Sequence, residues 1–111
     1  MLNLYKFRRY KKKQGKKKVR HPKLIVDDYK NEFGFMGLTS RKKKGRGHNN
    51  YPLLYNPEFK NGVRKKEPSY LRRKVEYDRK TNFGDIEKNY ILHEEDKANL
   101  IPFIDKQKKK R

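Results

Sequence analysis

Three dense basic runs divide this chain into stretches that can pack and stretches that cannot. They are Lys11-Lys12-Lys13-Gln14-Gly15-Lys16-Lys17-Lys18, Arg41-Lys42-Lys43-Lys44-Gly45-Arg46-Gly47-His48 and Lys108-Lys109-Lys110-Arg111. Like charges at this density repel each other and hold water, so no such run joins a core. A fold has to be assembled from what lies between. The charge balance follows the same division. Residues 1–20 carry ten Lys or Arg and no acid, residues 21–66 eleven against four, residues 67–105 seven against nine, and residues 106–111 five against none. We therefore expect a basic N-terminal extension over 1–18, one small domain over 19–105 and a basic tail over 106–111. The glycines in the middle run make it a loop inside the domain rather than a helix.

Composition limits the rest. A chain of 111 residues holds one small domain, and an apolar fraction of 32% gives it a modest core. A net charge of +20 attracts polyanions, with RNA or DNA first among them. There is no Cys, so disulfide frameworks, thiol nucleophiles and Cys-ligated zinc fall away, and a reducing compartment such as the cytoplasm is the expected location. Three widely spaced His do not make a structural zinc site, and no cofactor or metal is expected. No apolar run approaches the roughly 20 residues of a membrane span, no apolar leader of the secretory kind opens the chain, and no repeat is visible.

The ordered stretches read mostly as strands. Lys23-Leu24-Ile25-Val26-Asp27 is short, apolar and rich in β-branched residues, and follows Pro22. Phe33-Gly34-Phe35-Met36-Gly37-Leu38-Thr39 reads as its antiparallel partner across a turn at Asp28–Asn31. Gly34 and Gly37 suggest bulges or close backbone approach. Tyr51–Tyr55 is a short extended segment, and Ser69-Tyr70-Leu71 and Lys74-Val75-Glu76-Tyr77 read as strands. Thr81-Asn82-Phe83-Gly84 reads as a turn. A helix begins near His93, where Glu94, Glu95 and Asp96 complement the helix dipole; Leu100, Ile101 and Ile104 form its apolar face, and Pro102 is expected to kink or split it. Asp27 and Asp28 read as a solvated pair at the hairpin end rather than as metal ligands. Tyr51, Tyr55 and Tyr70 stand beside basic runs and suit stacking on unpaired bases, whereas Phe33, Phe35, Phe83 and Phe103 are needed for the core. The class is mostly β (α+β), closed by a C-terminal helix.

The segment Arg20-His21-Pro22-Lys23-Leu24-Ile25-Val26, followed by Gly37-Leu38-Thr39-Ser40, resembles the MazF/PemK-like toxin endoribonucleases, whose signature is an Arg-Pro step entering a strand and a partner strand ending in Thr or Thr-Ser. Ser69-Tyr70-Leu71 and Leu92-His93-Glu94-Glu95-Asp96 are similar to the family's later strand and helix entry. The likeness covers roughly residues 19–105, and its specific part is 19–40. It implies a small SH3-like barrel and metal-independent cleavage of single-stranded RNA, in which the 2′-hydroxyl attacks the adjacent phosphorus and leaves 2′,3′-cyclic phosphate and 5′-hydroxyl ends. It also implies an acidic antitoxin as partner and a homodimer. Two departures stand out. The family's Gly-Asp first strand is missing, and the residue before Pro22 is His21, with Arg20 one place earlier.

On that resemblance the catalytic candidates are Arg20, His21, Thr39 and Ser40. Arg20 would donate two N–H groups to phosphate, His21 would move a proton near neutral pH, and Thr39 and Ser40 would donate hydroxyl hydrogen bonds. Backbone binding would fall to Arg41, Lys42, Lys43, Lys44, Arg46, His48, Arg64, Lys65, Lys66, Arg72 and Arg73. The plainer readings are that Arg20 ends a basic tract, that Thr39 and Ser40 are strand-end residues, and that His93 only starts a helix. Two other functions also fit the charge: a non-enzymatic RNA-binding protein, ribosomal or ribosome-associated, and a small phage or plasmid protein binding nucleic acid.

Overall fold

A computed structural model of the chain describes residues 4–11, 22–39, 49–54, 69–88 and 90–108. The strands are β1 (Phe7–Tyr10), β2 (Lys23–Tyr29), β3 (Glu32–Thr39), β4 (Tyr51–Pro52), β5 (Tyr70–Leu71), β6 (Glu76–Arg79) and β7 (Phe83–Ile86), followed by helix α1 (Glu94–Asp105). Every strand pairing is antiparallel, in the order β4-β5-β3-β2-β1-β7, with β6 also on β3. The protein is thus mostly β with one C-terminal helix.

The β2–β3 hairpin is the centre of the sheet. Tyr29 pairs with Glu32, so the loop is only Lys30-Asn31, and Lys30 takes a φ of 53°. A positive φ at the first position is what two-residue hairpin loops require for their twist to match the strands. The expected turn at Asp28–Asn31 is therefore tighter, and Asp27 and Asp28 belong to β2. The register shifts between Ile25 and Asp27, opposite Phe35 and Gly34. This bulge turns Asp27 inward, and it is 1% exposed with its Oδ2 accepting from the Tyr77 hydroxyl at 2.8 Å. The expected solvated pair is thereby corrected: only Asp28 faces solvent, paired with Lys80 at 2.5 Å. Gly34 is needed here because a Cβ would stand 2.8 Å from both Asp27 Cβ and Tyr77 Cε2.

β5 and β6 are two halves of one strand along β3. Leu71 pairs with Leu38 and Glu76 with Phe35, a slip of two residues between the halves. The Arg72 amide still donates to the Gly37 carbonyl at 2.8 Å, so the interruption lies at Arg73–Val75. A 3-10 turn at Lys80–Asn82 then carries the chain directly into β7, which pairs with β1. The expected turn over Thr81–Gly84 is half corrected: Phe83 and Gly84 are already strand.

Strand alternation sorts the apolar residues onto two faces. Phe7, Leu24, Val26, Met36, Leu38 and Leu71 face α1, which covers them with Leu100 and Ile104. Tyr10, Ile25, Phe33, Phe35 and Phe83 cluster on the other face. β1 lies in the stretch expected as an extension, yet it is an inner strand between β2 and β7. Phe7 and Tyr10 sit an odd number of residues apart and bury on opposite faces, so no period-two stripe marks them.

Helix α1 starts as expected. His93 is its N-cap, with Nδ1 accepting from the Glu95 amide at 3.1 Å. Asp96 is buried and its Oδ1 accepts from the Leu54 amide at 2.8 Å, tying the chain just after β4 to the helix. Pro102 lies inside the helix and does not split it. Pro102 and Ala98 are both exposed, so water can satisfy the Ala98 carbonyl that Pro102 leaves without an amide.

Candidate nucleic-acid interface

One end of the aromatic face gathers cations. Lys23 opens β2 directly across from Gly37 of β3, and the Leu38 amide donates to the Pro22 carbonyl at 3.3 Å. Alternation places Lys23 and Ile25 on the same face as Phe35, Gly37 and Thr39. Gly37 has no side chain, and two long cationic side chains occupy the space above it. A Cβ there would stand 3.2 Å from Lys23 Nζ and 3.3 Å from Arg72 Cδ.

Lys23 is only 5% exposed. Its ammonium lies 5.5 Å from the centre of the Tyr10 ring, a cation–π distance. Burial lowers its pKa first and Arg72 lowers it further, while Glu76 pulls the other way. The Tyr10 hydroxyl donates to the Asp78 carboxylate, and burial followed by that bond holds the phenol well above its ordinary range. Lys23, Arg72 and Tyr10 thus meet at the end of the sheet where β3 finishes.

Thr39 is that finish. It is buried and paired with Tyr70 of β5. Arg72 joins the Thr39 side through Gly37, but Arg73 does not. Its guanidinium turns to the helix side, with Nε donating to the Asn49 carbonyl at 2.9 Å and the group lying 5.4 Å from the Phe103 ring centre. Adjacent residues point to opposite faces, so the pair expected to act together is divided. Tyr51 is half-buried with its ring 4.9 Å from that of Phe103, which makes it a core residue rather than a platform for bases. Arg20, His21, Ser40, Arg41, Lys42, Lys43, Lys44, Arg46, His48, Arg64, Lys65 and Lys66, like Tyr55, lie outside the described residues.

Sequence reasoning passed over Lys23. Among 33 basic residues nothing singles out one Lys at a strand start. The available signal was the register, because pairing the two apolar runs places Lys23 opposite a glycine.

The arrangement can donate hydrogen bonds and positive charge to an oxyanion. It carries an ammonium, a guanidinium and a hydroxyl close to one strand end. Among the described residues no group of three or more His, Cys, Asp or Glu could hold a metal ion, and no helix is long and apolar enough to cross a membrane. In comparisons with protein-family models, curated proteins and solved structures, nothing matches the chain.

Proposed function

We propose that this chain is an RNA-binding protein of the toxin–antitoxin kind, cleaving single-stranded RNA without a metal to 2′,3′-cyclic phosphate and 5′-hydroxyl ends. The observation that carries the reading is Thr39, which ends β3 on the ladder that reaches Pro22, with Lys23 and Arg72 at the same end of the sheet. The strand order adds support. β7-β1-β2-β3-β6, with a 3-10 turn joining β6 to β7, is compatible with the SH3-like barrel that the resemblance implies.

In this reading the RNA supplies its own nucleophile. The protein has to place a phosphodiester, stabilise charge on the phosphorane and move two protons. Arg20 provides the bidentate donor and His21 the proton transfer, while Thr39 and Ser40 hold phosphate oxygens. Arg72 and the basic segments 41–46 and 64–66 bind the backbone by charge, which makes capture steep in salt. An acidic antitoxin would mask this surface, a homodimer is the expected assembly, and cytoplasmic RNA is the substrate pool.

The test is a long single-stranded RNA incubated with purified protein in EDTA, with the ends mapped. Discrete cuts with cyclic-phosphate termini that disappear in an Arg20→Ala/His21→Ala double variant are the expected result. RNA binding without cutting, unchanged in that variant, would replace this reading with a non-enzymatic, ribosome-associated one.

A further inference from the structure

We propose that Lys23 and Arg72, converging over the bare backbone of Gly37, form a cradle for one phosphate of a single-stranded RNA backbone. The inference rests on the RNA-binding half of the reading above and needs no cleavage.

The geometry is specific. Lys23 Nζ and Arg72 Nε lie 3.2 Å and 3.6 Å from the point where a Gly37 Cβ would stand. The two nitrogens are therefore no more than about 7 Å apart, a range in which like charges oppose each other. One phosphate with donors on two of its oxygens spans such a gap and removes the repulsion. Glycine makes the convergence possible, because any β-carbon would press against both side chains.

The surroundings tilt the site toward an anion. Among the groups bearing on Lys23 are Arg72 from the chain after β5, Glu76 from β6 and the Tyr10 ring from β1. Glu76 is exposed, and its pull on Lys23 is weaker than the combined effect of burial and Arg72. Asp78, the other nearby acid of β6, is engaged by the Tyr10 hydroxyl. Placing a second cation against a buried ammonium raises the cost of an already expensive group. A Met or Leu would fill the same volume at the start of β2 without that cost. A ligand with negative charge would offset the repulsion between the two, and on a chain of net charge +20 a polyanion backbone is the natural source. Thr39, two residues beyond Gly37 on the same face, would then lie one step along the strand from the bound phosphate.

The test uses the full chain with lysine labelled at Cε and Nζ, and two probes: a ten-nucleotide 2′-O-methyl RNA, which cannot be cut by its own 2′-oxygen, and inorganic phosphate. In the free protein the Lys23 signal should titrate below the bulk of the lysines. Saturating oligonucleotide should move it up into the bulk range. Lys23→Met and Arg72→Met should each weaken oligonucleotide binding by about tenfold or more, whereas Lys88→Met, an exposed change of equal charge, should have little effect. If the oligonucleotide binds while the Lys23 titration stays put, the cradle is wrong. If Lys23→Met does not fold, the titration in the wild-type chain still decides. If the oligonucleotide fails to bind but inorganic phosphate shifts Lys23 saturably, the cradle stands and the RNA reading falls. If neither probe moves Lys23, the cradle is overturned.

Discussion

The two faces of the sheet bury opposite charges in different company. The face under α1 has a largely aliphatic centre, with Leu24, Val26, Met36 and Leu100, and two buried acids lie beside it. Asp27 is held by Tyr77 and Asp96 by the Leu54 amide, so each carboxylate ties two pieces of chain together. The opposite face is built on aromatic rings, and cations stand against them as Arg73 does against Phe103 on the helix side. Arg8 and Lys80 lie 5.3 Å and 5.2 Å from the Phe33 ring centre, and Lys23 lies over Tyr10. A carboxylate accepting hydrogen bonds under a helix stabilises the fold. An ammonium beside a guanidinium gains nothing from that pairing, and in the proposed cradle it serves a ligand. On the proposed reading the first face holds the molecule together and the second meets the ligand.

The strongest way to test that contrast is to change one buried residue on each face. Leu100 is fully buried between α1 and the sheet. Leu100→Ala should cost about 2–5 kcal/mol, the usual range for a leucine truncated in a packed core. Phe83→Leu keeps most of the volume of the aromatic cluster and should cost less, about 1.5 kcal/mol or below. Urea denaturation of both variants gives the comparison. A loss for Phe83→Leu as large as that for Leu100→Ala would mean that the aromatic cluster is packed too tightly to accept a change of shape.

The glycines offer a sharper test, since one serves each face. At Gly34 a methyl group would meet Asp27 Cβ and the Tyr77 ring, and neither can retreat from the other's hydrogen bond without breaking it. Gly34→Ala should destabilise by about 1–3 kcal/mol. At Gly37 the methyl would meet the ends of two flexible cationic side chains. Gly37→Ala should cost under about 1 kcal/mol of stability and show itself in weaker RNA binding instead. If Gly37→Ala unfolds the protein as readily as Gly34→Ala, the cationic end is structural.

These contrasts also show what a sequence of this kind reveals. The β2–β3 hairpin was legible because two apolar runs flank a polar turn, and α1 because acids at its start and Leu100 and Ile104 further on repeat at helical spacing. β1 was hidden, because Arg8 and Arg9 dominate its four residues and its two buried side chains serve different faces. The inward turn of Asp27 was hidden as well, since it depends on a one-residue bulge that exists only once β3 is in place. Of the candidate site, Thr39 was visible as the end of a strand, but the partnership of Lys23 with Arg72 was not. Charge reads along the chain as a total, while the pairing arises from register and from an absent side chain. The separation of Arg72 from Arg73 has the same origin, because neighbours that look alike in sequence alternate in an extended backbone.

The smallest effect is the pH dependence of stability, and on the aromatic face alone it carries both signs. In the folded chain Lys23 has a pKa below its ordinary value of 10.5. Below the folded pKa both states hold the proton, and the full cost of the buried ammonium is present. Between the folded value and 10.5 the unfolded chain binds more protons, so stability rises with pH. Tyr10 has the opposite sign. Its folded pKa is raised above the ordinary 10.0, so above that pH the unfolded chain sheds a proton that the folded chain keeps, and stability falls. Lys23→Met should therefore be more stable than the wild type at neutral pH, with the advantage shrinking as pH climbs toward 10.5. Tyr10→Phe should flatten the loss seen above pH 10. Urea midpoints across the alkaline range measure both. A Lys23→Met advantage that does not change with pH would mean that the ammonium titrates as it does in water, and the aromatic face would then hold no buried charge to offer a phosphate.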